Sequence, residues 1–172
     1  FGQHYGISNY RGVPSYDELL RIKNTAKDLG VRALDTASSY GDSEKVIGKV
    51  FDASWSITSK CSLRHGSAEP SVLLWAQVLK SLELLNVSSL DNLLLHDAKD
   101  VNLAWSVLRN LRDEGLVKKI GVSLYFSDDL EPIFALPDLD VVQIPLSIFD
   151  QRFLKSGVIN RFKDRGVQIQ IR

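Results

Sequence analysis

Short apolar runs alternate with amphipathic helical stretches along almost the whole chain, and this alternation constrains the fold more than any other feature. Helical stretches with apolar residues on one face separate the runs, and capping and stop residues such as Ser15 and Gly30 mark the transitions. Strands are predicted over 31–34, 55–59, 91–95, 119–122, 141–144 and 167–171. Alternation of this kind favours a parallel sheet joined by right-handed helical crossovers.

The intervening helices are predicted from cap residues and apolar spacing. They are expected to follow Ser15, to begin at Ser43 and Pro70, to contain Leu103 and Ile159, and to include a short helix from Ser127. The strands are almost continuously apolar, which indicates that both faces of the sheet are covered.

Such a pattern allows two architectures, an open doubly wound sheet and a closed barrel. Polar residues at the strand ends distinguish between them. No Gly-x-Gly-x-x-Gly loop follows the first complete strand, which weakens the open dinucleotide-binding fold. The polar residues that recur at carboxyl ends of strands are Asp35, Lys60, His96, Ser123, Gln143 and Arg172. In a barrel these ends converge on one mouth. We therefore predict an α/β fold, a parallel (β/α)8 TIM barrel that is incomplete in this chain, with residues 1–172 forming one domain.

Composition excludes several classes of function. Lys plus Arg (21) equals Asp plus Glu (21), so no net field recruits nucleic acid or an anionic membrane. No apolar run approaches the roughly 20 residues that span a bilayer. With three histidines and the single Cys61, the sequence argues against a metal site. With no internal disulfide and no leader at its start, the chain fits a cytoplasmic protein.

A set of short motifs, in a fixed order, resembles the aldo-keto reductase family. The motifs are Leu34-Asp35-Thr36-Ala37, Tyr40-Gly41-Asp42-Ser43-Glu44, Ile47-Gly48, Thr58-Ser59-Lys60, Leu93-Leu94-Leu95-His96, Gly115-Leu116-Val117 and Ile120-Gly121-Val122-Ser123. The resemblance runs from end to end of the chain. It implies an oxidoreductase that reduces an aldehyde or ketone to an alcohol by hydride transfer from NAD(P)H.

The resemblance assigns catalysis to Asp35, Tyr40, Lys60 and His96, and elementary chemistry supports the grouping. A carbonyl that accepts hydride needs a proton at its oxygen, which Tyr40 would supply as general acid. Lys60 is expected to lower the pKa of that phenol, and Asp35 to keep the ammonium charged. His96 would orient the carbonyl oxygen.

The resemblance also assigns the cofactor site, to Asp35, Ser123, Gln143 and Arg172. Ser123 and Gln143 would hydrogen-bond the nicotinamide carboxamide, while Arg172 stands where the family has an aromatic that stacks on the ring. The family usually has Asn in place of Leu124 and often in place of Ser147. NADPH is the expected cofactor and NADH the alternative.

Each of these residues has a plainer interpretation. Asp35 could cap a turn, Tyr40 could be a packing residue, and Lys60 a solvated one. His96 could be a satisfied core histidine, and Gln143 a sheet residue bonded to backbone. Two other functions stay open: a non-catalytic barrel that binds cofactor as a sensor or assembly subunit, and a Schiff-base aldolase using Lys60.

The family fold has eight strands, of which this chain supplies fewer. Phe1-Gly2 resembles the tail of the first strand, and the eighth unit, which carries the adenosine phosphate site, does not follow Arg172. We expect the chain to be part of a longer protein, and expect weak cofactor binding and little activity if it ends at Arg172. The substrate and the oligomeric state are left open.

Overall fold

Six parallel strands in sequential order form the sheet of this computed structural model, which describes residues 1–63, 69–125 and 130–172. The strands are β1 (Ala33–Asp35), β2 (Ser56–Cys61), β3 (Leu90–Leu95), β4 (Val117–Ser123), β5 (Val141–Ile144) and β6 (Gln168–Ile171). Each strand pairs in parallel with the next one along the chain. The strand predicted from Val31 begins later because the Val31 amide bonds to Ala26 O and closes the preceding helix.

Helices connect every pair of consecutive strands. They are α1 (Tyr16–Asp28), α2 (Ser43–Val50), α3 (Pro70–Leu85), α4 (Val101–Asp113), α5 (Glu131–Phe134), α6 (Arg152–Lys155) and α7 (Val158–Asp164), with a 3₁₀ turn at Ala98–Asp100. Ser15 caps α1 as predicted, its hydroxyl accepting from the Glu18 amide. The helix start predicted at Ser127 lies outside the described residues.

Side-chain contacts across the inner face show that the sheet curls. In a flat sheet, β1 and β5 would stand about 19 Å apart, because neighbouring strands lie about 4.8 Å apart. Instead, Gln143 Nε2 of β5 donates to Asp35 Oδ1 of β1 over 2.7 Å, and Gln170 Nε2 of β6 donates to Thr58 Oγ1 of β2 over 3.2 Å. The sheet is therefore an incomplete β/α barrel, which confirms the predicted fold class.

The apolar core lies between the outer face of the sheet and the helices packed on it. Outward-facing strand residues such as Leu93, Ile120 and Val142 meet helix residues such as Leu74 and Leu108, all of them buried. The inner face instead carries the polar side chains. This division leaves the barrel interior open to chemistry while the outer layer supplies the hydrophobic stabilisation.

Two glycines allow backbones to approach closely in this outer layer. A Cβ at Gly48 of α2 would overlap the Leu84 carbonyl oxygen of α3, and one at Gly121 of β4 would overlap the Val141 carbonyl oxygen. The lack of a side chain at Gly48 therefore lets α2 and α3 pack with their backbones in contact.

Candidate active site

Asp35 and Lys60 form an ion pair at the carboxyl ends of β1 and β2. Lys60 Nζ lies 2.7 Å from Asp35 Oδ2 and donates a second bond, of 2.8 Å, to the Thr36 carbonyl oxygen. The Lys60 side chain is 1% exposed and that of Asp35 is 45% exposed. The ammonium is therefore held in a buried position by two oxygens, one of which carries the compensating charge.

Tyr40 and His96 lie beside this pair. Tyr40 stands in the turn before α2, where its amide bonds to Ala37 O. Lys60 Nζ lies 5.3 Å from the Tyr40 ring centroid, and the Tyr40 and His96 rings meet edge to face with centroids 5.7 Å apart. Ser39 Oγ contacts His96 Nδ1 at 3.3 Å and orients that ring. The structure thus brings together all four residues that the sequence singled out.

The ionisation of Tyr40 differs from the sequence expectation. Its pKa is raised, first by partial burial and then by the negative charge of Asp35, with a smaller lowering influence from Arg172. The predicted net lowering of this pKa is therefore wrong in direction, because burial, which is the largest influence, and the Asp35 carboxylate both raise it. Burial lowers the pKa of Lys60, and Asp35 opposes that effect.

Gln143 connects the ion pair to the two strands that close the curl. It is 2% exposed, and its Nε2 donates to Asp35 Oδ1 at 2.7 Å. Its Oε1 is buried and has no hydrogen-bond partner among the described residues. Ser123, also buried, lies opposite Gln143 in the β4–β5 register. An unsatisfied buried acceptor beside a hydroxyl suits a ligand amide, the group that a nicotinamide carries.

Arg172 reaches the same mouth from the end of β6. Its guanidinium donates to the Leu124 carbonyl oxygen at 3.2 Å and lies over the Tyr125 ring, 4.2 Å from the centroid. Its charge lowers the pKa of both Tyr40 and Lys60. Sequence reasoning missed Tyr125, whose only signal was its position two residues after Ser123. The positions where the family has Asn hold a buried Leu124 and a Ser147 that accepts from two loop amides.

A cavity of about 590 Å³ opens from the His96 and Tyr125 side of the mouth. It runs beside α3, where Leu73, Ala76 and Leu84 give it apolar walls, and serines line the opposite side. A volume of this size accommodates a small organic molecule.

A buried carboxylate, Glu44, is among the residues that line this cavity. It stands in the first turn of α2 and accepts hydrogen bonds from Ser59 Oγ (2.5 Å) and Ser81 Oγ (3.0 Å). Burial raises its pKa, while the two hydroxyl bonds act in the opposite direction. Glu44 thereby joins α2, β2 and α3 through hydrogen bonds to Ser59 and Ser81.

The described residues offer neither a cluster of metal ligands nor a membrane-spanning helix. No group of three His, Cys, Asp or Glu side chains there could hold a metal ion. None of the described helices combines the length and apolar character needed to cross a membrane.

Comparison with known proteins gives one consistent family. The model of the aldo/keto reductase family matches residues 2–170. An aldo-keto reductase of Mycolicibacterium smegmatis is 29% identical over 132 residues, covering 73% of this chain and 46% of the relative. The chain spans about half the length of the curated relatives it matches.

Solved structures agree on the fold. A protein of Pseudomonas aeruginosa assigned to the aldo-keto reductases superposes with a TM-score of 0.83 at 23% identity, over 99% of this chain and 69% of its own. An aldo-keto reductase from Klebsiella pneumoniae in complex with NADPH gives a TM-score of 0.76 at 18% identity, over 90% of this chain and 56% of its own.

Proposed function

Because the chain belongs to the aldo/keto reductase family, we propose that it reduces an aldehyde or ketone to an alcohol with NAD(P)H, Tyr40 acting as general acid. The observation that carries this proposal is the convergence of Tyr40, His96 and the Asp35–Lys60 pair at one mouth. Family membership alone supports only an oxidoreductase that acts on carbonyls. The grouping of these side chains supports the finer assignment.

The cofactor supplies the hydride that the carbonyl carbon accepts. Asp35, Ser123, Gln143 and Arg172 would hold it, and the unpartnered Gln143 Oε1 supports this assignment because it can accept from a carboxamide N–H. NADPH is our first choice, and the NADPH complex of a protein with the same fold supports it.

The side chains of this chain would deliver the proton. With its pKa raised, the Tyr40 hydroxyl stays protonated through neutral pH and can give its proton to the carbonyl oxygen as negative charge develops there. The Lys60 ammonium, 5.3 Å from the ring centroid, stabilises the phenolate that remains. His96, oriented by Ser39, would hydrogen-bond the same carbonyl oxygen.

The geometry favours this function over a Schiff-base aldolase. A Schiff base needs a neutral and accessible amine. Lys60 Nζ is instead engaged by a carboxylate and a backbone carbonyl, on a side chain that is 1% exposed. Borohydride trapping of a substrate on Lys60 would support the aldolase.

The test is NADPH and NADH oxidation by the full-length protein with a panel of aldehydes and ketones. Tyr40→Phe should lower turnover at least about 100-fold, the usual contribution of a positioned acid, and leave cofactor affinity nearly unchanged. Tyr16→Phe, at an exposed position on α1, is the matched control. Normal turnover by Tyr40→Phe would show that another group is the acid.

A further inference from the structure

A chain of hydrogen-bonded polar side chains crosses the barrel interior next to the Asp35–Lys60 pair. Asn92 Nδ2 and Gln170 Nε2 both donate to Thr58 Oγ1, over 2.9 Å and 3.2 Å. Gln170 Oε1 accepts from Gln143 Nε2 at 3.4 Å, and Gln143 Nε2 also donates to Asp35. Barrels of this type usually fill the interior with branched apolar residues. A buried polar layer costs stability unless its members satisfy one another, and among the described residues Gln143 Oε1 is the buried side-chain atom left without a partner.

This chain fixes which way the Gln143 amide points. Both neighbours of its nitrogen are acceptors, a carboxylate oxygen of Asp35 and the amide oxygen of Gln170. If the amide turned over, its oxygen would face both of them and the two hydrogen bonds would become repulsions. The observed orientation therefore places the Gln143 carbonyl oxygen on the side away from both acceptors, where it is buried and has no partner among the described residues.

The orientation of Gln170 follows from that of Gln143, because the Gln143 nitrogen, held by the Asp35 carboxylate, needs an acceptor opposite it. The Oε1 of Gln170 is therefore the end presented to Gln143, and its Nε2 donates to Thr58 Oγ1. Gln170 lies opposite Gln143 in the β5–β6 register, so the two amides are held at the same level of the barrel. Without Gln170, one of the two acceptors that hold the Gln143 nitrogen is lost.

We infer that Gln170 is a positioning residue that presents the Gln143 carbonyl oxygen to the amide N–H of the nicotinamide. The inference rests on the proposed function, because it concerns the same cofactor site. Gln170 acts through Gln143 and makes no contact of its own with the reacting atoms. Gln170 therefore increases the affinity for a cofactor that carries a carboxamide, relative to one that carries a group of similar shape without N–H donors.

The experiment measures equilibrium binding by protein fluorescence, using NADP⁺ and its 3-acetylpyridine analogue, in which an acetyl group replaces the carboxamide. The full-length wild type should bind NADP⁺ about fivefold to tenfold more tightly than the analogue, as one neutral hydrogen bond provides. Gln170→Met keeps the length and volume but offers no acceptor, and should lower this ratio measurably, with Asp35 left as the one acceptor that holds the Gln143 nitrogen.

Two further variants keep the result interpretable. Gln168→Met makes the same change two residues earlier on β6, where the side chain bonds to exposed Lys119, and should leave the ratio at the wild-type value. Gln170→Glu keeps an oxygen that accepts from Gln143 and should retain the preference for NADP⁺. It stands in for Gln170→Met if that variant does not fold, and loss of the preference in it would overturn the inference.

The outcomes separate the two proposals. A wild type that binds neither nucleotide contradicts the proposed function. A wild type that prefers NADP⁺, with a folded Gln170→Met that keeps the full preference, leaves the function standing and overturns the role of Gln170. Binding of both nucleotides by the wild type without preference overturns it as well.

Discussion

Lys60 and Asp35 face each other over 2.7 Å with very different access to water, the lysine side chain being 1% exposed and the aspartate 45%. The two partners of the pair are therefore not equivalent. A carboxylate left alone in this position can hydrate, whereas an ammonium left alone is enclosed by protein. This asymmetry decides what each substitution does to stability.

We expect Asp35→Ala to destabilise the protein by about 3 kcal/mol, because it leaves a buried ammonium without its counter-charge. Lys60→Met should cost much less, since the remaining carboxylate is solvated and the methionine fills the volume. Both variants should lose turnover. Urea unfolding of the two proteins measures the difference, with Lys80→Met, at an exposed site on α3, as control. Equal losses from both substitutions would contradict the asymmetry.

Arg172→Gln should raise the pKa of Tyr40 further. The guanidinium charge lowers that pKa in the wild type, opposing burial and Asp35, so its removal leaves the raising influences unopposed. Alkaline titration of tyrosinate absorbance measures the shift, and subtraction of the Tyr40→Phe titration assigns the signal. Arg161→Gln, which removes an exposed charge paired with Glu131, should leave the Tyr40 titration in place. A downward shift in Arg172→Gln would refute the prediction.

Glu44 should make stability depend on pH in the acidic range. Burial raises its pKa above the ordinary value of 4.5, so the folded protein binds this proton more tightly than the unfolded chain. The stabilising contribution is complete below pH 4.5 and is lost as the pH rises through the raised value. Relative to Glu44→Gln, which does not titrate, the wild type should become less stable over that interval.

Thermal unfolding of both proteins from acidic to neutral pH measures this change. Glu83→Gln changes a glutamate on the exposed side of α3 in the same way and serves as the control for a solvent-exposed position. A stability difference between wild type and Glu44→Gln that is constant with pH would show that Glu44 titrates alike in the folded and unfolded states.

Gly48→Ala should destabilise the protein by about 1–3 kcal/mol, the usual range for overpacking. Helix propensity alone predicts the opposite, since alanine favours a helix interior over glycine. The added Cβ would overlap the Leu84 carbonyl oxygen, so α2 and α3 must separate. Lys49→Ala, at the neighbouring exposed position, should have little effect in the same unfolding assay. An increase in stability would mean that the two helices are not in backbone contact.

Much of the fold could be predicted because it is encoded locally. The apolar runs match β2 to β6 closely, and Ser15, Gly30 and Pro70 mark helix ends as expected. The grouping of Asp35, Tyr40, Lys60 and His96 was also expected, because parallel strands end on one side. The roles of these residues remain proposals.

The rest depends on contacts between distant parts of the chain. The bond from Gln143 to Asp35, the position of Arg172 over Tyr125, and the polar layer around Thr58 all follow from the curl of the sheet. The spacing of apolar residues along the sequence does not predict that curl. The direction of the shift in the Tyr40 pKa was missed for a related reason, because it depends on how deeply the ring is buried.

The bond between Gln143 and Asp35 joins residues 108 positions apart, and the bond between Gln170 and Thr58 spans 112. We expect contacts this remote in sequence to form late, because the entropy cost of closing a long loop comes before the contact stabilises the chain. During refolding, helical signal should therefore recover before the environment of Tyr40 does. Nucleotide binding should therefore recover only in the last stage of folding. A partly folded intermediate would contain helices but would not bind the nucleotide.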